Sequence, residues 1–111
     1  MSQNEKLWLE QMVEAIVAVA NPKQVILFGS RARNQAQPDA DVDLLVIESE
    51  PFGPHRSRYR EIARLEQAMG SIPLATDILV YTEEETEKLR SSANHVVAHA
   101  LREGKVLHAR S

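Results

Sequence analysis

Three aspartates stand where apolar residues are expected. Asp41 and Asp43 flank Val42 at the head of "DVDLLVIE", and Asp77 interrupts "PLATDILVY". In an extended strand, residues two apart project to the same side, about 7 Å apart along the chain. Asp41 and Asp43 therefore project together, and Val42 points away. If the segments carrying Asp43 and Asp77 are neighbours in a sheet, three carboxylates meet at one end of it. Burying like charges in apolar surroundings raises their pKa values and favours the neutral form, so something cationic must compensate. Carboxylate oxygens suit Mg²⁺, which takes one or two protein carboxylates together with substrate phosphates. Two such ions can clamp the attacking and leaving oxygens of a displacement at phosphorus. Each acid also has an ordinary reading: Asp41 as a turn cap, Asp43 as the partner of an arginine, Asp77 as a strand end.

A second feature lies just upstream. Gly29-Ser30 ends the apolar run "QVILF", and ten residues separate it from Asp41. Glycine at a strand end lets a ligand approach the backbone closely. Ser30 can cap the following turn and donate its hydroxyl to a phosphate oxygen, with backbone N–H groups turned toward an anion. Arg31 and Arg33 add positive charge of a type suited to phosphate. Strand–Gly–Ser–helix joints are common, so this feature gains force from the carboxylates that follow at a set distance.

The elements that must position these residues are legible from periodicity. Residues 3–20 carry Leu9, Met12, Val13, Ile16, Val17 and Ala20 on one helical stripe. Ser2 and Glu5 form a capping box there, and Asn21-Pro22 ends the helix. Strands are expected over 24–28, 41–48 and 73–81. A helix over 56–69 is expected to turn Tyr59, Ile62, Ala63, Leu65, Glu66 and Met69 inward, with Gly70 at its C-terminal cap. Thr82 and Glu85 box the start of an acidic helix over 83–90. A last helix over 92–103 is expected to point Val96, Val97, Ala100 and Leu101 inward, with Gly104 as its stop. "KVLHA" follows as a short edge strand. The order is α-β-α-β-α-β-α-α, with the second helix a short turn starting at Ser30. This is a small α/β (α+β) domain: a mixed sheet of three to four strands, with helices mainly on one face.

Size and composition narrow the classes. The chain has 111 residues, 43% hydrophobic and 26% charged, consistent with one globular domain over residues 1–111. A net charge of −3 and a pI of about 5.8 argue against bulk electrostatic binding of nucleic acid. The sequence contains no cysteine, which excludes disulfides and thiolate metal sites. No apolar run reaches a membrane span and the start has no signal-peptide layout, so a soluble cytoplasmic protein is expected.

Together, "ILFGSRAR" and "DADVDLLV", with Asp77 in "TDILVY", resemble the signature of the minimal nucleotidyltransferases, within the DNA polymerase β-like nucleotidyltransferase superfamily. The resemblance covers about residues 5–104 and departs at Asn34, where many relatives have glycine; Asn tolerates a left-handed backbone. It implies ATP as the usual substrate, two Mg²⁺ ions, and transfer of a nucleoside monophosphate with release of pyrophosphate. It assigns Gly29 and Ser30 to the triphosphate, with Arg31 and Arg33 beside them, and Asp41 and Asp43 to the metals. Asp77 would help bind the catalytic metal and take the proton of the acceptor hydroxyl. Relatives of this length are often antitoxins paired with a helical HEPN ribonuclease toxin, and some adenylylate a toxin tyrosine. The chain offers no second domain to recognise tRNA or a small-molecule acceptor, so recognition falls to a partner, in a homo- or hetero-oligomer. The rival expectations are transfer to a small molecule or an RNA end, and toxin neutralisation by binding alone.

Three further patterns stand out. Arg56, Arg60 and Arg64 are spaced as a helical stripe, read as a solvated face or as a contact for triphosphate, an acidic partner or RNA. His95 and His99 are four apart, but Val96 stands where a zinc-protease motif has Glu, and a polar helix face is the expected role. Leu7 and Trp8 fall partly off the first helix's main stripe, as peripheral core or as an exposed docking patch.

Overall fold

The computed structural model describes residues 2–33 and 41–110. In chain order the elements are α1 (Gln3–Ala20), β1 (Gln24–Phe28), α2 (Gly29–Ala32), β2 (Val42–Glu48), α3 (Arg58–Ala68), β3 (Thr76–Thr82), α4 (Glu83–Leu89), α5 (Val96–Glu103) and β4 (Lys105–Ala109). Both anticipated capping boxes form, Ser2 with Glu5 and Thr82 with Glu85. Asn21 closes α1 in the left-handed conformation at φ 43°, which its short polar side chain tolerates. Asn34, where the sequence departs from the glycine of many nucleotidyltransferases, lies outside the described residues.

The strands form one mixed sheet in the order β3-β2-β1-β4. β1 pairs antiparallel with both β2 and β4, while β2 and β3 run parallel across the α3 crossover. β3 begins at Thr76 rather than at Pro73, whose missing N–H cannot join a ladder. The "KVLHA" segment is the edge strand anticipated for it.

Alternation along the strands divides the core between two faces. Val25, Leu27, Val42, Leu44, Val46, Ile78 and Val80 pack with Leu9, Met12 and Ile16 of α1 and Leu65 of α3. Ile26, Leu45 and Ile47 pack with Val97 and Ala100 of α5, with Phe28, Leu79 and Tyr81 around them. The two longer helices thus share one face, as expected, and the other face is also covered, by the shorter α5. Gly104 allows this second layer to come close. A Cβ there would stand 2.5 Å from both the Ala100 carbonyl oxygen and Cγ2 of Ile26.

Two helices differ in phase from their periodicity. Ser57 caps α3 by accepting from the Arg60 N–H at 3.3 Å, so the helix starts at Arg58 and Arg56 precedes it. The arginine stripe is therefore broken. Arg56 stacks on Phe52 and pairs with Glu48 and with Glu61; Arg64 holds Glu61 at 2.9 Å and bonds the Val19 carbonyl of α1. Arg60 is exposed. With Glu61 drawn inward by these arginines, the buried row becomes Glu61, Leu65 and Met69, while Tyr59, Ala63 and Glu66 face outward. Similarly, α5 starts at Val96 rather than at 92, because the His95 side chain caps it through the Val97 N–H. Val97, Ala98 and Ala100 are then buried and Val96 is exposed.

Candidate active site

The sheet register brings the singled-out residues together. Asp43 faces Phe28 across the antiparallel β1–β2 pair and faces Asp77 across the parallel β2–β3 pair. Neighbouring strands lie about 4.8 Å apart, so Asp43 and Asp77 are immediate neighbours. Asp41, one residue ahead of β2, extends the group at the same sheet end. Residues 41, 43 and 77 share the alternation of Leu45, Ile47, Leu79 and Tyr81, and Phe28 belongs to the same layer. The three acids therefore stand on the face covered by α5, at the end that α5 and Gly29 border. Asp43 is half-buried, and Asp41 and Asp77 are exposed.

Gly29 sits directly against Asp43. Its φ is +75°, in the left-handed region that suits glycine. A Cβ at this position would stand 2.3 Å from Oδ2 of Asp43, well inside contact distance. The chain thus turns from β1 into α2 with a carboxylate seated against bare backbone. Ser30 follows on α2, half-buried.

The electrostatics mark the same spot. Burial, then the charge of Asp77, then that of Asp41 push the Asp43 carboxyl above the ordinary aspartate range. A cation among the acids would offset the second and third of these causes. An all-oxygen carboxylate set of this kind suits Mg²⁺. Among the described residues, no three His, Cys, Asp or Glu side chains are drawn together into a metal cage. Asp41, Asp43 and Asp77 are gathered by register and face rather than by a closed cage.

Of the two arginines read beside the phosphates, Arg33 is exposed and Arg31 is buried. The Arg31 guanidinium pairs with Glu5 of α1, and that pairing is the main reason the Glu5 carboxyl lies below its usual range. Arg31 thus ties the start of α1 to the turn that carries Gly29 and Ser30. The histidine pair separates: His95 is the α5 cap, whereas His99 lies on the helix with Nδ1 at 3.2 Å from the Arg102 guanidinium. Leu7 is 51% exposed and Trp8 is half-buried.

Periodicity pointed to the acids but not to what surrounds them. A cleft of about 330 Å³ opens beside Gly29, lined by Phe28, Arg33, Asn94, Val96, His99, Ala100 and Glu103. On the α5 side the sequence singled out Val96 and Ala100 for the core and His99 for a polar helix face, and none of them for a ligand.

Residues 9–99 match the nucleotidyltransferase domain family, which is most of the chain and includes the Gly-Ser turn and all three acids. The chain belongs to that family. In this nucleotidyltransferase the Gly-Ser turn and the acids lie at the sheet end where the register gathers them. No curated protein matches it by sequence. Solved structures share the fold at low identity. A Sulfolobus solfataricus protein assigned to the nucleotidyltransferases aligns at 15% identity over 99% of this chain and 90% of its own, with a TM-score of 0.62. A chain of a toxin–antitoxin structure with AMP-PNP aligns at 17% identity, covering 92% of this chain and 73% of that one, with a TM-score of 0.54. A chain from the complex of a tri-AMPylated Shewanella oneidensis HEPN toxin with an MNT antitoxin aligns at 15% identity, covering 95% and 72%, with a TM-score of 0.53. Among the described residues, no helix is long and apolar enough to cross a membrane.

Proposed function

We propose that this nucleotidyltransferase moves AMP from ATP to a protein hydroxyl, a tyrosine of a cognate HEPN-type toxin, and so acts as an antitoxin in the cytoplasm. The observation that carries the reading is Asp43, seated against Gly29 and in register with Asp77. Carboxylates and a phosphate-accepting turn then serve one triphosphate. Asp41, Asp43 and Asp77 would hold two Mg²⁺ ions, which when bound neutralise charge on the triphosphate and on the leaving pyrophosphate. The Gly29 backbone and the Ser30 hydroxyl hold the phosphates, and the missing Cβ at Gly29 leaves room for the Asp43 carboxylate beside them. Arg33, exposed at the end of the same turn, adds positive charge. Asp77, the outermost of the two paired acids, accepts the proton of the acceptor hydroxyl as its oxygen bonds to the α-phosphorus and the pyrophosphate oxygen leaves. The toxin assignment draws support from the folds of the two toxin–antitoxin neighbours.

The test combines the chain, labelled ATP, Mg²⁺ and the product of the adjacent gene. Label and a mass gain of AMP on that protein are expected with wild type, and neither with Asp41→Ala or Asp43→Ala. Neutralisation that survives both substitutions without label transfer would replace this reading with binding alone. Label on an RNA end or a small molecule instead would keep the chemistry and change the acceptor.

A further inference from the structure

We infer that the cleft between the β1–α2 turn and α5 holds the nucleoside of the donor triphosphate, and that Asn94 and α5 therefore select the base. The inference rests on the reading of the carboxylate end as the triphosphate site.

Three observations place a nucleoside there. Gly29 is common to both regions: it abuts Asp43 and also lines the cleft. Phe28 lines the cleft as well, and as the register partner of Asp43 it lies on the same side of the sheet. A molecule with its phosphates over Gly29 and Asp43 thus meets the cleft without crossing the sheet or rounding an edge. The second observation is size. At about 330 Å³ the cleft falls at the small end of ordinary ligand sites, room for one nucleoside. The third is chemistry. Phe28, Val96 and Ala100 offer apolar and aromatic surface for a flat ring. Asn94 offers an amide that can both donate and accept, the pairing that reads an adenine edge. His99 and Glu103 add polar groups along α5, and Glu103 is an acceptor suited to a ribose hydroxyl or an exocyclic amine.

The experiment measures binding of two probes by calorimetry in Mg²⁺: ATP and inorganic tripolyphosphate. Val96 is 43% exposed at the cleft, so Val96→Trp fills it without disturbing the core. Asn94→Ala removes the amide and fills nothing, which guards against a misfolded tryptophan variant. Val96→Trp is expected to weaken ATP tenfold or more, and Asn94→Ala several-fold with a reduced preference for ATP over GTP. Tripolyphosphate binding should match wild type in both. If wild type binds both probes and both variants keep wild-type ATP affinity, the nucleoside lies elsewhere and the inference is overturned while the triphosphate site stands. It is overturned equally if the variants keep ATP but lose transfer to the toxin, which would make the cleft an acceptor site. Binding of neither probe by wild type overturns the triphosphate reading and this inference with it.

Discussion

Gly29→Ala tests the geometry of the site most directly. The substitution adds one carbon with two consequences. The alanine must occupy φ +75°, at a cost of roughly 1–2 kcal/mol for an L-residue in the left-handed region. Its Cβ also lands 2.3 Å from Oδ2 of Asp43, so that carboxylate must swing away, at about 0.5–1.5 kcal/mol if it leaves its preferred rotamer. The sum, about 1.5–3.5 kcal/mol, corresponds to a fall in Tm of about 6–14 °C for a domain of this size. Nucleotidyl transfer should fall far more than stability, because the displaced group is the proposed metal ligand. The two costs separate in Gly29→Ala combined with Asp43→Ala. The Cβ of residue 43 lies 3.5 Å from the added carbon, an ordinary contact, so the steric cost disappears and the backbone cost stays. The double variant is expected to melt above Gly29→Ala, measured by differential scanning calorimetry without metal. A Gly29→Ala protein that melts with wild type, or a double variant that loses the sum of the two single effects, would refute the packing of Gly29 on Asp43.

Asp43→Asn should stabilise the metal-free protein at neutral pH. The Asp43 carboxyl is raised in the folded state by burial and by Asp77 and Asp41, so its ionisation opposes folding, and the gain should vanish at acid pH where the acid is already neutral. The same variant should lose the rise in Tm that Mg²⁺ and ATP give wild type. Glu48 behaves alike at the far end of β2, where burial is the first cause that raises it from 4.5 to about 7 and neighbouring Glu61 adds to it. A raised acid contributes stability below its unfolded pKa and loses it as pH climbs through the folded value, so wild-type stability should decline between about pH 4.5 and 7. Glu48→Gln should flatten that decline in denaturant titrations across the range. Thr82→Ala removes the hydroxyl that accepts from the Glu85 N–H at 3.1 Å, and should cost about 1 kcal/mol in urea unfolding with no change in nucleotide affinity.

Much of the fold was legible because local physics sets it. The stripe on residues 3–20, the two capping boxes, the Asn21-Pro22 stop and the runs "QVILF" and "DVDLLVIE" each carry their own signal. The structure keeps them within a residue or so. Phase was harder wherever a side chain far along the chain overrode the local pattern. Arg56 and Arg64 draw Glu61 inward and turn the α3 stripe away from Tyr59 and Glu66. The His95 cap starts α5 four residues later than its periodicity suggested. The Gly-Ser turn and the aspartates were readable as residue types at a spacing, and that pattern identifies the family.

What the spacing could not contain is proximity. Asp77 lies 34 positions beyond Asp43, and only the parallel register of β2 and β3 makes them neighbours. Arg31 reads as a phosphate contact in the sequence, and tertiary packing buries it against Glu5. The cleft beside Gly29 exists because α5 folds back onto β1, a contact whose closeness depends on the bare backbone of Gly104. The amino-acid sequence by itself determined which residue types stand at which spacing and which elements carry them. The tertiary structure decided which of them meet and on which face of the sheet. Side-chain periodicity is local, whereas strand pairing and helix docking are set by burial across the whole chain.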